Sequence, residues 1–274
     1  MKVRVWLLGA AVLFLMAACA PMGRQVALPA ARLVGVELVA IDPFADRFAL
    51  DLELELLNPN AFDLPLLASE LKVKLGDLRT SAELPAMTLP AGEKARASLR
   101  VETTLARSAA TAADLLAGKT LPLWIGGRLR VEALGQGIWL GPYTLLEDRV
   151  KLELALRPPR VTPLSAQVRL GFGALEFRVR YRAENPLPVG FLLEGDLVAE
   201  LGGVRLGEAP IALRLPPAGE EAGAFVLRVP LSAVPGAARS LTGGVPFGLR
   251  GTVRLAVPGV LERTFALELA GTVH

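Results

Sequence analysis

The chain has one cysteine, Cys19, and one histidine, His274, at its last position. A lone thiol cannot close an intramolecular disulfide. A lone terminal histidine makes neither a catalytic dyad nor a metal-ligand set. Aromatic residues make up 5% of the chain, and glutamine and asparagine number three each. Scarce amides beside abundant Arg, Leu, Ala and Pro fit a GC-rich genome and growth in heat. Excess charge is also lacking. The net charge is +3, and without Lys2 and Arg4 the basic residues fall to 28 against 27 acidic ones. A nucleic-acid partner needs a net basic face, so none is expected. No acid–base carboxylate pair, Ser-His-Asp set, metal-ligand spacing or phosphate loop is legible. Gly126-Gly127 and Gly202-Gly203 precede no helix start and read as turn or bulge glycines. The expectation is a protein that is not an enzyme and takes no cofactor or metal.

What is present begins at the N-terminus. Lys2 and Arg4 form a basic start, Val5 to Met16 is apolar apart from Gly9, and Ala17-Ala18 precede Cys19. That is the layout of a signal peptide over residues 1–18. A spanning helix needs about 20 apolar residues, and this run stops short at Pro21-Met22-Gly23-Arg24. The run Leu15-Met16-Ala17-Ala18-Cys19 resembles the lipobox of bacterial lipoproteins, with Met16 where leucine is usual. The resemblance implies that Cys19 takes a diacylglycerol and fatty acyl chains such as palmitate, and becomes the N-terminus after cleavage. Ala20, not aspartate, follows it; by the same resemblance this points to an outer membrane where the cell has one, otherwise to the cell membrane, facing periplasm or exterior. Residues 19–31 read as a tether.

Behind the tether the chain repeats itself. Leu50–Pro59 aligns with Phe177–Pro186, placing Asn58 and Asn185 127 residues apart; Leu89–Glu93 aligns with Pro216–Glu220, and Gly92 and Gly219 are again 127 apart. Leu121-Pro122-Leu123 and Gly127 match Val245-Pro246-Phe247 and Gly251. Two units are expected, at 32–157 and 160–274, with Arg157-Pro158-Pro159-Arg160 as a proline-stiffened hinge. A hydrophobic fraction of 52% supplies cores for both. Leu50, Leu52, Leu54 and Leu56 alternate with Asp51, Glu53 and Glu55, which predicts a strand with one wet face. Similar alternation predicts strands at Leu71–Leu75, Leu99–Leu105, Leu129–Ala133, Val150–Leu156, Val168–Phe172, Phe177–Tyr181, Phe225–Leu231, Gly251–Val257 and Phe265–Leu269. Many short strands between Pro- and Gly-bearing turns point to antiparallel sandwiches of the fibronectin-III or immunoglobulin-like kind. One short helix is expected per unit, at Ala106–Gly118 with a glycine C-cap and at Val234–Gly243 with Pro235 in its first turn.

The strand that runs into Asn58-Pro59-Asn60 resembles the hallmark of the WHy (water-stress and hypersensitive-response) domain of the folded, type 2 late embryogenesis abundant proteins. The second copy, Asn185-Pro186-Leu187, lacks the second asparagine. The resemblance spans both units and implies a non-catalytic β-sandwich linked to desiccation, water and heat stress. Its partners would be the membrane, through the lipid, and unfolded clients or envelope proteins. A carrier of lipid or hydrophobic ligand would instead need an apolar cavity between sheets. An adaptor of an envelope complex would need an exposed edge or apolar patch.

Three local features carry paired readings. Asn58 and Asn185 are turn locks at strand ends, or they touch a ligand. The acidic ladder Asp51, Glu53, Glu55 corresponds to the basic ladder Arg178, Arg180, Arg182. The two ladders face each other, or each is neutralised within its own sheet by Lys72, Lys74, Arg128 or Arg130, and by Glu194, Asp196 or Glu268. The segments Phe62–Leu67 and Leu187–Leu193 enter the core, or they form an exposed apolar rim.

Overall fold

The computed structural model describes residues 26–133, 135–154, 157–233 and 244–273. The signal segment, Cys19, the helix expected at Val234–Gly243 and His274 lie outside them. The chain is mainly β, in antiparallel sheets. The first sheet joins β1 (Ala30–Asp42), β2 (Arg47–Leu57) and β6 (Lys94–Thr103), with β2 in the middle. The second runs β4 (Leu78–Ala82), β3 (Leu64–Leu75), β7 (Leu121–Ala133), β8 (Gln136–Val150), with β5 (Met87–Leu89) also on β3. β1 lies along β8 and β6 along β4, so the two sheets stack as a sandwich. β1 begins at Ala30, inside the stretch expected as tether.

The same order recurs down the chain. β9 (Arg160–Gly171), β10 (Ala174–Glu184) and β13 (Glu220–Pro230) form one sheet around β10. The other runs β12 (Val204–Leu215), β11 (Phe191–Leu201), β14 (Val245–Val257), β15 (Leu261–Val273). Here β9 lies along β15 and β13 along β12. Strand for strand, β9-β10-β13 repeats β1-β2-β6, and β12-β11-β14-β15 repeats β4-β3-β7-β8.

Alternation drives this arrangement. Leu50, Leu52, Leu54 and Leu56 of β2 are wholly buried, each removing apolar surface worth about 2 kcal/mol from water. In β10, Phe177 and Val179 sit in the equivalent positions, also wholly buried, and Phe177 meets Phe225 and Phe247 edge-on at 6.4 and 5.8 Å. The helix α1 (Leu105–Leu116) buries Leu105, Ser108, Ala112, Leu115 and Leu116, a stripe at helical spacing. Thr104, at its N-cap, makes no side-chain bond. Asp46, in the turn between β1 and β2, caps instead: its carbonyl accepts the Leu105 N–H and its carboxylate the Ala106 N–H. At the other end Gly118 has φ of +71°, and the Gly118 and Lys119 amides return to the Leu115 and Asp114 carbonyls, closing a Schellman turn.

Three expectations are corrected. The strand expected at Val150–Leu156 ends at its first residue, because Val150 closes β8 and residues 151–154 pair with nothing as a strand. Leu152 is still buried and Leu154 partly so, so burial along the connector alternates without its belonging to a sheet. Strand character at Leu99–Leu105 stops at Thr103, where Thr104 and Leu105 turn into α1. The outer members of each charge ladder pair within their own sheet, but not with the residues named from sequence. Asp51 pairs with Arg100 opposite it, and Glu55 with Lys94 at 2.8 Å and Arg32 at 3.5 Å. Arg178 pairs with Glu176 and Arg182 with Glu220, while Glu194 and Glu268 belong to Arg254 and Arg250. Of the two readings of the post-motif segments, entry into the core holds: Leu64, Leu66, Leu187, Val189, Phe191 and Leu193 are buried. Leu67 alone in those segments is a large exposed apolar residue.

Candidate functional site

All three asparagines of the chain stand in the two Asn-Pro turns, and all three are buried. β2 delivers Asn58 to a strand end where Pro59 cannot continue the ladder. The Asn58 carboxamide oxygen accepts the Asn60 N–H at 3.0 Å, an Asx turn. Its amide nitrogen donates to the carbonyls of Phe62 and Leu89 at 2.9 Å, and of Pro90 at 3.1 Å. One side chain thus ties together the end of β2, the approach to β3 and the loop after β5. Asn185 does the same: its oxygen accepts the Leu187 N–H at 3.0 Å, and its nitrogen donates to Val189 at 2.8 Å and Pro216 at 2.7 Å. Phe62 and Val189, like Leu89 and Pro216, are again 127 residues apart. In both asparagines the side-chain oxygen and nitrogen are engaged by the turn itself, as a turn lock requires.

Asn60 has a different partner. Its oxygen accepts the Ala27 N–H at 2.8 Å and its nitrogen donates to the Ala27 carbonyl at 3.0 Å and to the Asn58 oxygen at 2.8 Å. The amide thereby imitates a neighbouring strand and fastens residue 27, on the segment leading back to Cys19, to the first Asn-Pro turn. Leu187 holds the equivalent place in the second copy and can make no such clamp.

The two sets of sheets meet at Ile41, near the end of β1. Its N–H donates to the Pro188 carbonyl at 2.8 Å, and its carbonyl accepts the Gly190 N–H at 2.7 Å. This is a one-residue parallel bridge to Val189. Ile41 is 0% and Val189 1% exposed, and both belong to one continuous apolar core. A side chain at Gly190 would press on Pro217, Pro43 and the Leu215 carbonyl at 3.0–3.3 Å. Sequence reasoning missed this joint; the segment Pro188–Gly190 showed only that it was apolar.

A cleft of about 860 Å³ opens in the first set of sheets, lined by Glu70, Lys72, Ser81, Trp124, Arg128 and Tyr143 among others. Arg128 donates to Glu70 and lies over the Trp139 ring at 5.1 Å, and Lys74 lies 4.6 Å from the Trp124 ring centre. The Tyr143 hydroxyl is buried without a partner among the described residues, and burial raises its pKa well above the ordinary phenol range. Nothing here pairs a nucleophile with a base. Among the described residues, no group of three or more His, Cys, Asp or Glu is placed to hold a metal ion. Among them, too, no helix is long and apolar enough to cross a membrane.

Neither a family model nor a curated protein matches the chain. Solved structures similar to parts of it include the solution structure of AT1g01470 from Arabidopsis thaliana, 18% identical over 43% of this chain and 83% of that one, with a TM-score of 0.37. A protein from Archaeoglobus fulgidus is 15% identical over 44% of this chain and 98% of its own, with a TM-score of 0.27. Red sea bream transglutaminase is 15% identical over 90% of this chain and 32% of its own, also at 0.27.

Proposed function

We propose that the protein is a lipid-anchored, extracytoplasmic lipoprotein of two WHy-like β-sandwich units in series, non-catalytic, with a protective or structural role in water, desiccation or heat stress. The observation that carries the reading is the repeated Asn-Pro turn. In both copies the motif asparagine ends the second strand, makes the same Asx turn and reaches the same two carbonyls. The identical sheet order supports two units of one kind. Anchoring rests on the signal layout ending at the lone Cys19, and the Asn60 clamp on Ala27 would hold the tether to the end of the first unit.

Two measurements test this. Radiolabelled palmitate fed to expressing cells should enter the protein and be absent from Cys19→Ser; equal labelling, or none, sinks the anchor. The purified protein should protect a labile reporter enzyme through drying and heating better than an equal mass of an inert globular protein. Equal survival removes the protective role. A second reading, an adaptor for an envelope complex, is favoured by one observation: Leu170 and Phe172 at the tip of the β9–β10 hairpin are exposed.

A further inference from the structure

The β1–β2 hairpin and the β9–β10 hairpin are the same element in the repeat. Phe48 and Leu175 are 127 residues apart, and Ile41 pairs with Phe48 as Leu170 pairs with Leu175. Ile41 is the residue that makes the joint, by burying its side chain and lending its N–H and carbonyl to Pro188–Gly190. Its counterpart Leu170 is 58% exposed, and Phe172 beside it, in a turn flanked by Gly171 and Gly173, is fully exposed. Large apolar side chains in the open on the element that docks elsewhere in the same molecule mark an interface without its occupant.

We propose that the Leu170–Phe172 hairpin is a docking surface for a further β-unit of the same kind, carried by another protein. The proposal rests on the two-unit reading and not on the stress role or the anchor. The joint already present defines what the occupant must offer: an extended segment with a free carbonyl and a free N–H two residues apart, an apolar residue between them, and glycine at the second place. Such addition of one extended segment to a strand is a common mode of recognition.

A second copy of this chain does not meet that description. Its own Pro188–Gly190 segment is already occupied by Ile41. The equivalent segment of the first unit is Ala61-Phe62-Asp63. Asp63 stands where the joint has glycine: a Cβ at Gly190 would press on Pro43, and in the β9–β10 hairpin the place of Pro43 is taken by the bulkier Phe172. Its carboxylate also accepts the Ala91 N–H and would be desolvated against an apolar hairpin. The first unit is therefore closed to the second unit of another copy.

The test turns that closed end into an open one. In the mature chain, Ala61→Pro with Asp63→Gly recreates the Pro-X-Gly segment on the first unit. By sedimentation velocity the wild type should remain monomeric, and the double variant should form oligomers whose size grows with concentration. Adding Leu170→Asp should return it to the monomer. Should the double variant melt early, Asp63→Gly alone carries the test. The proposal is overturned if a folded variant with wild-type melting stays monomeric at every concentration, or if its oligomers survive Leu170→Asp. It is also overturned if the wild type itself associates through Leu170, because the occupant would then be a second copy. None of these outcomes touches the two-unit reading, which is tested at Ile41.

Discussion

Asn58 exposes none of its surface, and its amide nitrogen is surrounded by carbonyl oxygens of Phe62, Leu89 and Pro90. Removing it as Asn58→Ala leaves those carbonyls unpaired and is expected to cost about 2–3 kcal/mol of stability. Asn58→Asp is nearly the same size but replaces a donor with an acceptor-only carboxylate, so it should be the more damaging of the two. Urea denaturation of the three proteins checks the order. If the aspartate variant is as stable as wild type, the amide does not hold the turn. Part of this site is legible in the sequence, because asparagine before proline at the end of an alternating strand announces an Asx turn. The acceptors at Leu89 and Pro90 are not, since they lie 31 and 32 residues away and are brought in only when β5 pairs with β3. For the same reason nothing in the sequence links Asn60 to Ala27, 33 residues before it.

At the level of strands, the alternating ladder of β2 is readable because one face is apolar and the other charged. β8 is not readable: Gly137, Gly141 and Pro142 lie within it, and such residues argue against a strand. The connector at residues 151–154 misleads in the opposite sense, because alternation reports which side of an extended chain is buried and not whether it has a hydrogen-bonded neighbour. The ladders also set a pH dependence. A hydrogen bond from Lys94 chiefly lowers the pKa of Glu55, and one from Arg47 that of Glu102. A carboxyl that titrates lower in the folded state contributes stability that is whole above its unfolded pKa, near 4.5, and is lost as pH falls through the depressed folded value. The melting temperature should therefore be insensitive to these two groups at neutral pH and above, and drop below about pH 4.5. Glu55→Gln with Glu102→Gln should flatten that acid limb. Both groups are solvent-facing, so the effect is small and weakens with added salt. An unchanged acid limb in the double variant would assign acid sensitivity to other groups.

For the molecule as a whole, the repeat is legible because stretches that build the same strand order keep the same turn residues at the same spacing, as Asn58/Asn185 with Gly92/Gly219 do. How the copies are joined is not legible, because the joint needs one apolar residue, one bridge and one glycine, none of which stands out from its neighbours. That joint is nonetheless where the two sets of sheets are locked. Ile41 is wholly buried against Val189, and Gly190 admits Pro43. Ile41→Asp places a charge there without a partner and should cost more than the bridge contributes. The expected result is uncoupling without unfolding. Circular dichroism should stay β-rich, the single wild-type melt should separate into two, and small-angle scattering should change from one fixed shape to a broader distribution of lengths. Phe172→Ser, at the free hairpin, should leave melt and scattering as they are. If Ile41→Asp keeps one melt and an unchanged scattering curve, the two sets of sheets form one cooperative body held by something other than this joint, and the reading of two units in series falls.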